Sequence, residues 1–207
     1  KIMARLAEKY ENKQLCRTYL EMAEKTKKSF DEKFYNEEKH CLYDVLGDSK
    51  VRPNQLFALS LSHPIVDNAE IAEQVLNTVE NKLLNKYGLK TLSSDEDGYV
   101  DVYEGSAYKR DLSYHQGITW PWLLGLYYDA LKNTMIIEKN RTKRQELEEK
   151  ITKLVYTTKE TFKAEMFERS SIGTISEIYD STEPYEERGA FAQAWSVAEI
   201  FRIVLNK

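Results

Sequence analysis

The sequence predicts an all-α fold built from helical hairpins. Three observations carry that expectation. Apolar residues recur at spacings of three and four along most of the chain. Only eight glycines and four prolines occur in 207 residues, few for a turn-rich β fold. No strand–helix alternation of the kind that builds parallel sheets is present. About seven helices with alternately short and long connections fit this pattern, the long loops gathering at one end. A single domain over residues 1–207 is the length expectation, and a chain of this size buries roughly 70% of its extended surface.

Residues 1–35 read as two helices. Ile2, Leu6 and Tyr10 recur every four residues, and Leu15, Tyr19, Met22 and Ala23 continue the apolar stripe beyond Asn12. Ser29 or Asp31 is placed to end or restart the second helix. Asn36 to Lys50 is polar and broken by Gly47, with Leu42, Tyr43 and Val45 as a short extended piece. Pro53 suits the first turn of a helix over Asn54 to Leu61, where its missing N–H is harmless. Asp67 or Asn68 caps the next helix, whose apolar face is Ile71, Val75, Leu76, Val79 and Leu83. Gly88 reads as the glycine after that helix.

Leu89 to Tyr114 is a long loop carrying Tyr99, Tyr103, Tyr108 and Tyr114. Loops of this length in compact domains are usually functional or disordered, and the aromatics favour an ordered, functional one. Trp120 to Leu131 reads as helix. Asn140 to Glu168 is another, amphipathic through Leu147, Ile151, Leu154 and Val155, with Arg141 to Lys150 a solvated charged face. A second aperiodic loop runs from Ser170 to Gly189. The last helix is expected over Ala190 to Leu205, with Phe191, Trp195, Ala198, Arg202 and Leu205 along one stripe.

Thirty basic and 34 acidic residues give a net charge of -4. That offers no field for nucleic acid phosphates and no basic run for an anionic membrane surface. No stretch nears the roughly 20 apolar residues of a membrane span. Two cysteines, Cys16 and Cys41, make no disulfide framework, and a reduced, cytoplasmic setting is expected. His40, His63 and His115 are too scattered for zinc. Phosphate-binding glycine loops and Gly-x-Ser-x-Gly elbows are absent. No cofactor and no metal is expected.

The chemistry gathers in three stretches. Tyr108 to Trp122 (YKRDLSYHQGITWPW) crowds aromatics, amides and the Arg110-Asp111 pair into fifteen residues. Sugars are bound by such sets: rings cover C–H faces while charged and amide groups bond hydroxyls. In Gly173 to Asp180 (GTISEIYD), Glu177 lies between Ile175 and Ile178, and a carboxylate among apolar neighbours suits proton transfer. Arg52-Pro53-Asn54-Gln55 opens a helix.

Together these stretches resemble the carboxy-terminal catalytic domain of the glycogen debranching enzyme family, the amylo-α-1,6-glucosidases. The blocks RPNQ, YGLKTLS, YKRDLSYHQGITWPW, GTISEIYD and AQAWSVAEI occur in the family's order between residues 52 and 200. The resemblance implies an (α/α)6 toroid, here an incomplete one of about seven helices. It implies a glycogen-type glucan or limit dextrin as substrate and hydrolysis of α-1,6 branch points with inversion. Inversion uses two carboxyl groups about 6.5–9.5 Å apart, one activating water and one protonating the leaving oxygen.

The family's general base maps to Glu177. Arg110, Asp111, His115, Gln116 and Trp120 would line the glucose subsite, Gln193 and Trp195 its opposite edge, and Arg52 and Asn54 would brace it. The family's general acid is the Asp of a Trp-Met-Asp motif. Tryptophan occurs here only at positions 120, 122 and 195, so the motif is absent. The expectation is a carboxy-terminal fragment that begins after the acid. Alone it would be inactive, with its incomplete ring docked on the rest of a parent chain or on a second copy. Another toroid glycosidase, trehalase-like or a glucosidase relative, and a non-catalytic carbohydrate-binding segment are the alternatives.

Overall fold

A computed structural model of the chain describes residues 1–169 and 172–205. Ser170, the expected start of the second loop, lies outside the described residues. The fold is predominantly helical, but two small sheets correct the all-α expectation. Among the described residues there are eight α-helices and one 3-10 turn, against the seven helices expected.

The first hairpin joins α1 (Ile2–Lys9) to α2 (Lys13–Lys33). Asn12 caps α2 by accepting the Leu15 N–H at 3.0 Å. Neither Ser29 nor Asp31 interrupts α2. The apolar stripe of this hairpin faces solvent: Ile2, Leu6, Tyr10, Leu15 and Met22 are exposed, and α2 buries no residue. A two-stranded hairpin follows, β1 (Tyr35–Asn36) with β2 (Cys41–Leu42). Buried Gln55 ties it to the 3-10 turn Pro53–Leu56, accepting the Leu42 N–H at 3.1 Å and donating to the Arg52 carbonyl at 2.8 Å. The turn runs straight into α3 (Phe57–Ser60).

Asn68 caps α4 (Ala69–Lys82), whose buried face includes Ala72, Val75, Leu76 and Val79. The remaining elements are β3 (Leu84–Asn85), β4 (Gly88–Lys90), α5 (Ala107–Ser113), β5 (Thr119–Trp120), α6 (Leu123–Ile137), α7 (Arg141–Glu168), β6 (Ile178–Tyr179), β7 (Glu187–Arg188) and α8 (Ala194–Leu205). The five short strands β3 to β7 form one antiparallel sheet in chain order. Thr119 pairs with Tyr179, and Leu89 with Trp120.

Several boundaries differ from the sequence reading. Gly88 sits in β4 rather than behind α4, where the Trp120 carbonyl passes so close that a Cβ would collide with it. Trp120 is in a strand, and α6 starts only at Leu123. The first long loop contains α5, and the second contains β6 and β7. The last helix starts at Ala194, and its buried residues are Ser196, Ile200 and Ile203, with Phe191 and Leu205 exposed. Strands of two or three residues have no alternation to read, so tertiary pairing decides them.

α6 is the centre of the core. Leu124, Tyr127, Tyr128, Ala130 and Leu131 are buried on several sides of it, against α3, α4, α7 and α8. α8 is locked to it by Arg202, whose two terminal nitrogens each donate to one Asp129 carboxylate oxygen at 2.9 Å. A bidentate pair of this kind fixes orientation as well as distance. No helix among the described residues is long and apolar enough to cross a membrane.

Gly117 shows how tightly the sheet is built. Its φ is 141°, and a Cβ there would strike the Val100 carbonyl and the Tyr99 ring. Gly117→Ala is expected to lower stability by about 3 kcal/mol, measured as a fall in the urea midpoint with unchanged slope.

Candidate active site

Glu177 is placed by the strand it precedes. Ile178 and Tyr179 form β6, and the buried residues Ile175, Ser176, Ile178 and Tyr179 fasten the backbone on both sides. The Glu177 carboxylate is half-buried and held by three donors. Oε1 accepts the Tyr114 phenol at 2.6 Å and the Gln193 amide at 3.2 Å. Oε2 accepts the Ala190 N–H at 3.0 Å. Gly189, at φ 68°, lets the chain turn here, and a side chain at that position would collide with Oε2.

An aromatic wall stands beside this carboxylate. The Tyr114 ring packs edge-on to His115 at 4.9 Å and to Trp120 at 4.7 Å. His115 and Trp120 stack nearly parallel, 5.8 Å apart. Trp195 meets Trp120 at 5.8 Å and stacks on Trp122 at 5.4 Å. Burial first, then the bond to Glu177, pushes the Tyr114 phenol well above the ordinary tyrosine range. Both effects favour the protonated phenol, the form that donates to the Glu177 carboxylate.

Arg52 braces the loop behind the wall. Its guanidinium donates to the His115 carbonyl at 2.8 Å, the Thr91 carbonyl at 3.2 Å and the Gln116 side-chain oxygen at 3.0 Å. The structure thus brings Glu177, Gln193, Trp195, His115, Gln116, Trp120 and Arg52 into one neighbourhood. Arg110 and Asp111 make no hydrogen bond to Glu177 or to the rings of the wall. Arg110 donates to the Gly105 carbonyl at 2.7 Å, and Asp111 is exposed on α5. Asn54 is exposed in the 3-10 turn and is not among Glu177's hydrogen-bond partners.

The sequence reading left three contributors out of its site set. Tyr114 was visible within the aromatic block, but only folding shows that it reaches residue 177. Trp122 is half-buried rather than a helix interior residue. The Ala190 N–H carries no side-chain signal at all. Among the described residues no group of three or more His, Cys, Asp or Glu side chains could hold a metal ion.

Beneath the site, the Tyr179 phenol donates to Glu165 Oε1 at 2.9 Å, with both groups buried. Arg169 Nε lies 3.5 Å from Glu165 Oε2 and 2.6 Å from Glu187 Oε1. This cluster joins α7 to β6 and β7, and so supports the strand carrying Glu177.

A carboxylate held by neutral donors against a wall of indole rings, with a guanidinium bracing the loop behind, is a set of groups of the kind that suits sugar binding. The amylo-alpha-1,6-glucosidase family model matches residues 1–202, and the chain belongs to that family. It is a glycosidase domain of the glycogen debranching type, and the family's substrate is a glucan.

Burial raises the Glu165 carboxyl above its ordinary value of 4.5. The folded chain therefore binds that proton more tightly than the unfolded chain, and stability from this group is lost as pH rises above about 4.5. Comparing urea midpoints at pH 5 and pH 7.5, Glu165→Gln is expected to narrow the fall seen in the unaltered chain.

Proposed function

We propose that this chain is the carboxy-terminal part of an (α/α)6 glycosidase domain that hydrolyses α-1,6-glucosidic branch points with inversion, Glu177 serving as general base. The observation that carries the reading is the set of hydrogen bonds at Glu177. A carboxylate has about four acceptor positions. Two on Oε1 and one on Oε2 are taken by Tyr114, Gln193 and Ala190. The remaining position on Oε2 is the one that accepts a proton from water as water attacks the anomeric carbon.

The wall supports the sugar's position. His115 and Trp195 present rings to its C–H faces with buried Trp120 packed behind them, and Gln116 and Gln193 offer amides to its hydroxyls. Arg52 acts on the loop rather than on the sugar. Arg110 and Asp111, at the rim on α5, remain candidates for the outer contacts. An inverting reaction needs a second carboxyl group on the opposite face. The Trp-Met-Asp stretch that carries it in the family does not occur in these 207 residues, and no residue of this chain is given that role.

The substrate is a glycogen-type glucan or limit dextrin, and neither metal nor organic cofactor has a part in the reaction. The unburied stripe of α1 and α2 supports docking on another part of the enzyme or on a second copy, because contiguous apolar patches of this kind mark interaction surfaces. A monodisperse monomer of this chain in sedimentation, with no affinity for other parts of the enzyme, would count against that docking.

Hydrolysis of a singly branched maltodextrin tests the base assignment, in an enzyme that carries this chain together with a Trp-Met-Asp acid. Glu177→Gln is expected to lower turnover by about 10²–10⁴-fold while substrate binding changes little. Near-normal turnover removes Glu177 from the role. Equal release of glucose from α-1,1 or α-1,4 linkages points instead to a trehalase-like or broader glucosidase.

A further inference from the structure

The aromatic wall does not end at the glucose site. Trp195 leads to Trp122 at 5.4 Å, and Trp122 to Phe57 at 6.4 Å. These three rings come from α8, from the turn before α6, and from α3. Trp195 is 45% exposed and Phe57 39%, and both lean on half-buried Trp122. Phe57 is also a wall of a separate groove of about 430 Å³, which runs between α2, the first β-hairpin and α3. Phe30 and Phe34, stacked at 4.8 Å, line its far side. Polar groups are interspersed with the rings: Asp44, Asn54 and His63 line the same groove.

The arrangement has the composition of a carbohydrate site: apolar ring surface with a few hydrogen-bonding groups that fix orientation. It is continuous with the site at Glu177 through an unbroken run of rings. It also accounts for Asn54, which the RPNQ block singled out but which takes no part around Glu177.

Building on the reading of Glu177 given above, we propose that Trp195, Trp122 and Phe57 form a track of outer subsites for the linear arm of the glucan, ending in the groove beside Asp44, Asn54 and His63. The glucose at the branch sits at the wall beside Glu177. The chain bearing it follows the rings across α6 to α3. Affinity for the arm holds the branch point in place, so remote contacts serve orientation at the reacting bond.

Calorimetry on this chain with isomaltose, maltose and maltoheptaose separates the track from the glucose site. Two further ring contacts predict that maltoheptaose binds on the order of tenfold more tightly than maltose. Tryptophan fluorescence should shift more with the longer sugar. Phe57→Ala is expected to abolish the gain from length, and Phe57→Tyr, which keeps the ring, to retain it. If maltoheptaose binds no more tightly than maltose, or if Phe57→Ala keeps the full gain, the track is overturned. Isomaltose binding that persists in that case leaves the glucose site at Glu177 standing. Loss of isomaltose binding in the unaltered chain counts against both.

Discussion

One backbone pairing makes the site possible: Thr119 beside Tyr179 in the centre of the five-stranded sheet. Trp120 is the next residue along one strand, and Glu177 lies two residues before Tyr179 on the other. Side chains at fixed offsets from a paired residue have fixed separations, because strand geometry leaves little freedom. The pairing is reinforced where it is thinnest. The Ser181 hydroxyl lies 2.6 Å from the Thr119 hydroxyl and donates to the Gly117 carbonyl at 2.5 Å. The Ser181 N–H reaches the Asp101 carbonyl at 2.7 Å. Two loops far apart in sequence are thus stitched by hydroxyl and backbone bonds before any side chain of the site is considered.

Trp195 reaches the same wall by a different route. It sits one residue into α8, and α8 is positioned by the Arg202–Asp129 pair and by close packing at Gly125. A Cβ on Gly125 would collide with the Glu199 carboxylate, which itself accepts from Arg202 at 2.6 Å. The pair is about one-third exposed on each side, so its main effect is geometric rather than energetic. It sets the rotation of α8, and the rotation decides whether the Trp195 ring meets Trp120 and Trp122. The sheet and the α6–α8 seam are separate mechanical supports that converge on one cluster of rings.

The helices with strong periodicity were legible in the sequence. Asn68 and Asn140 cap α4 and α7 where the spacing of apolar residues places those helices. The site was legible in its residue types more than in its contacts. Glu177 and Gln193 stand out in their blocks, and they meet. Arg110 and Asp111 stand out equally, but α5 forms there, Arg110 donates to the Gly105 carbonyl and Asp111 is exposed. The strands of the five-stranded sheet escaped notice for a physical reason. Two residues cannot show a period of two, and the pairings of β5 with β4 and β6 are decided by chain closure over about 30 and 60 residues rather than by local preference. Tyr114 illustrates the same point: its phenol crosses 63 positions to reach Glu177.

Trp120 explains why composition alone leaves function and packing entangled. It is 4% exposed and belongs to the hydrophobic core, its indole N–H satisfied by the Tyr114 carbonyl at 3.2 Å. It is also the ring on which His115 stacks and against which Tyr114 and Trp195 lean. A core residue and a wall residue are the same side chain seen from two sides. Rigid packing behind the ring limits the motion of the rings in front, and a sugar that meets them pays little for ordering. The tryptophan-rich block is read wrongly as either core or ligand site alone. Its physical role is to let the core extend up to the substrate with no mobile layer between.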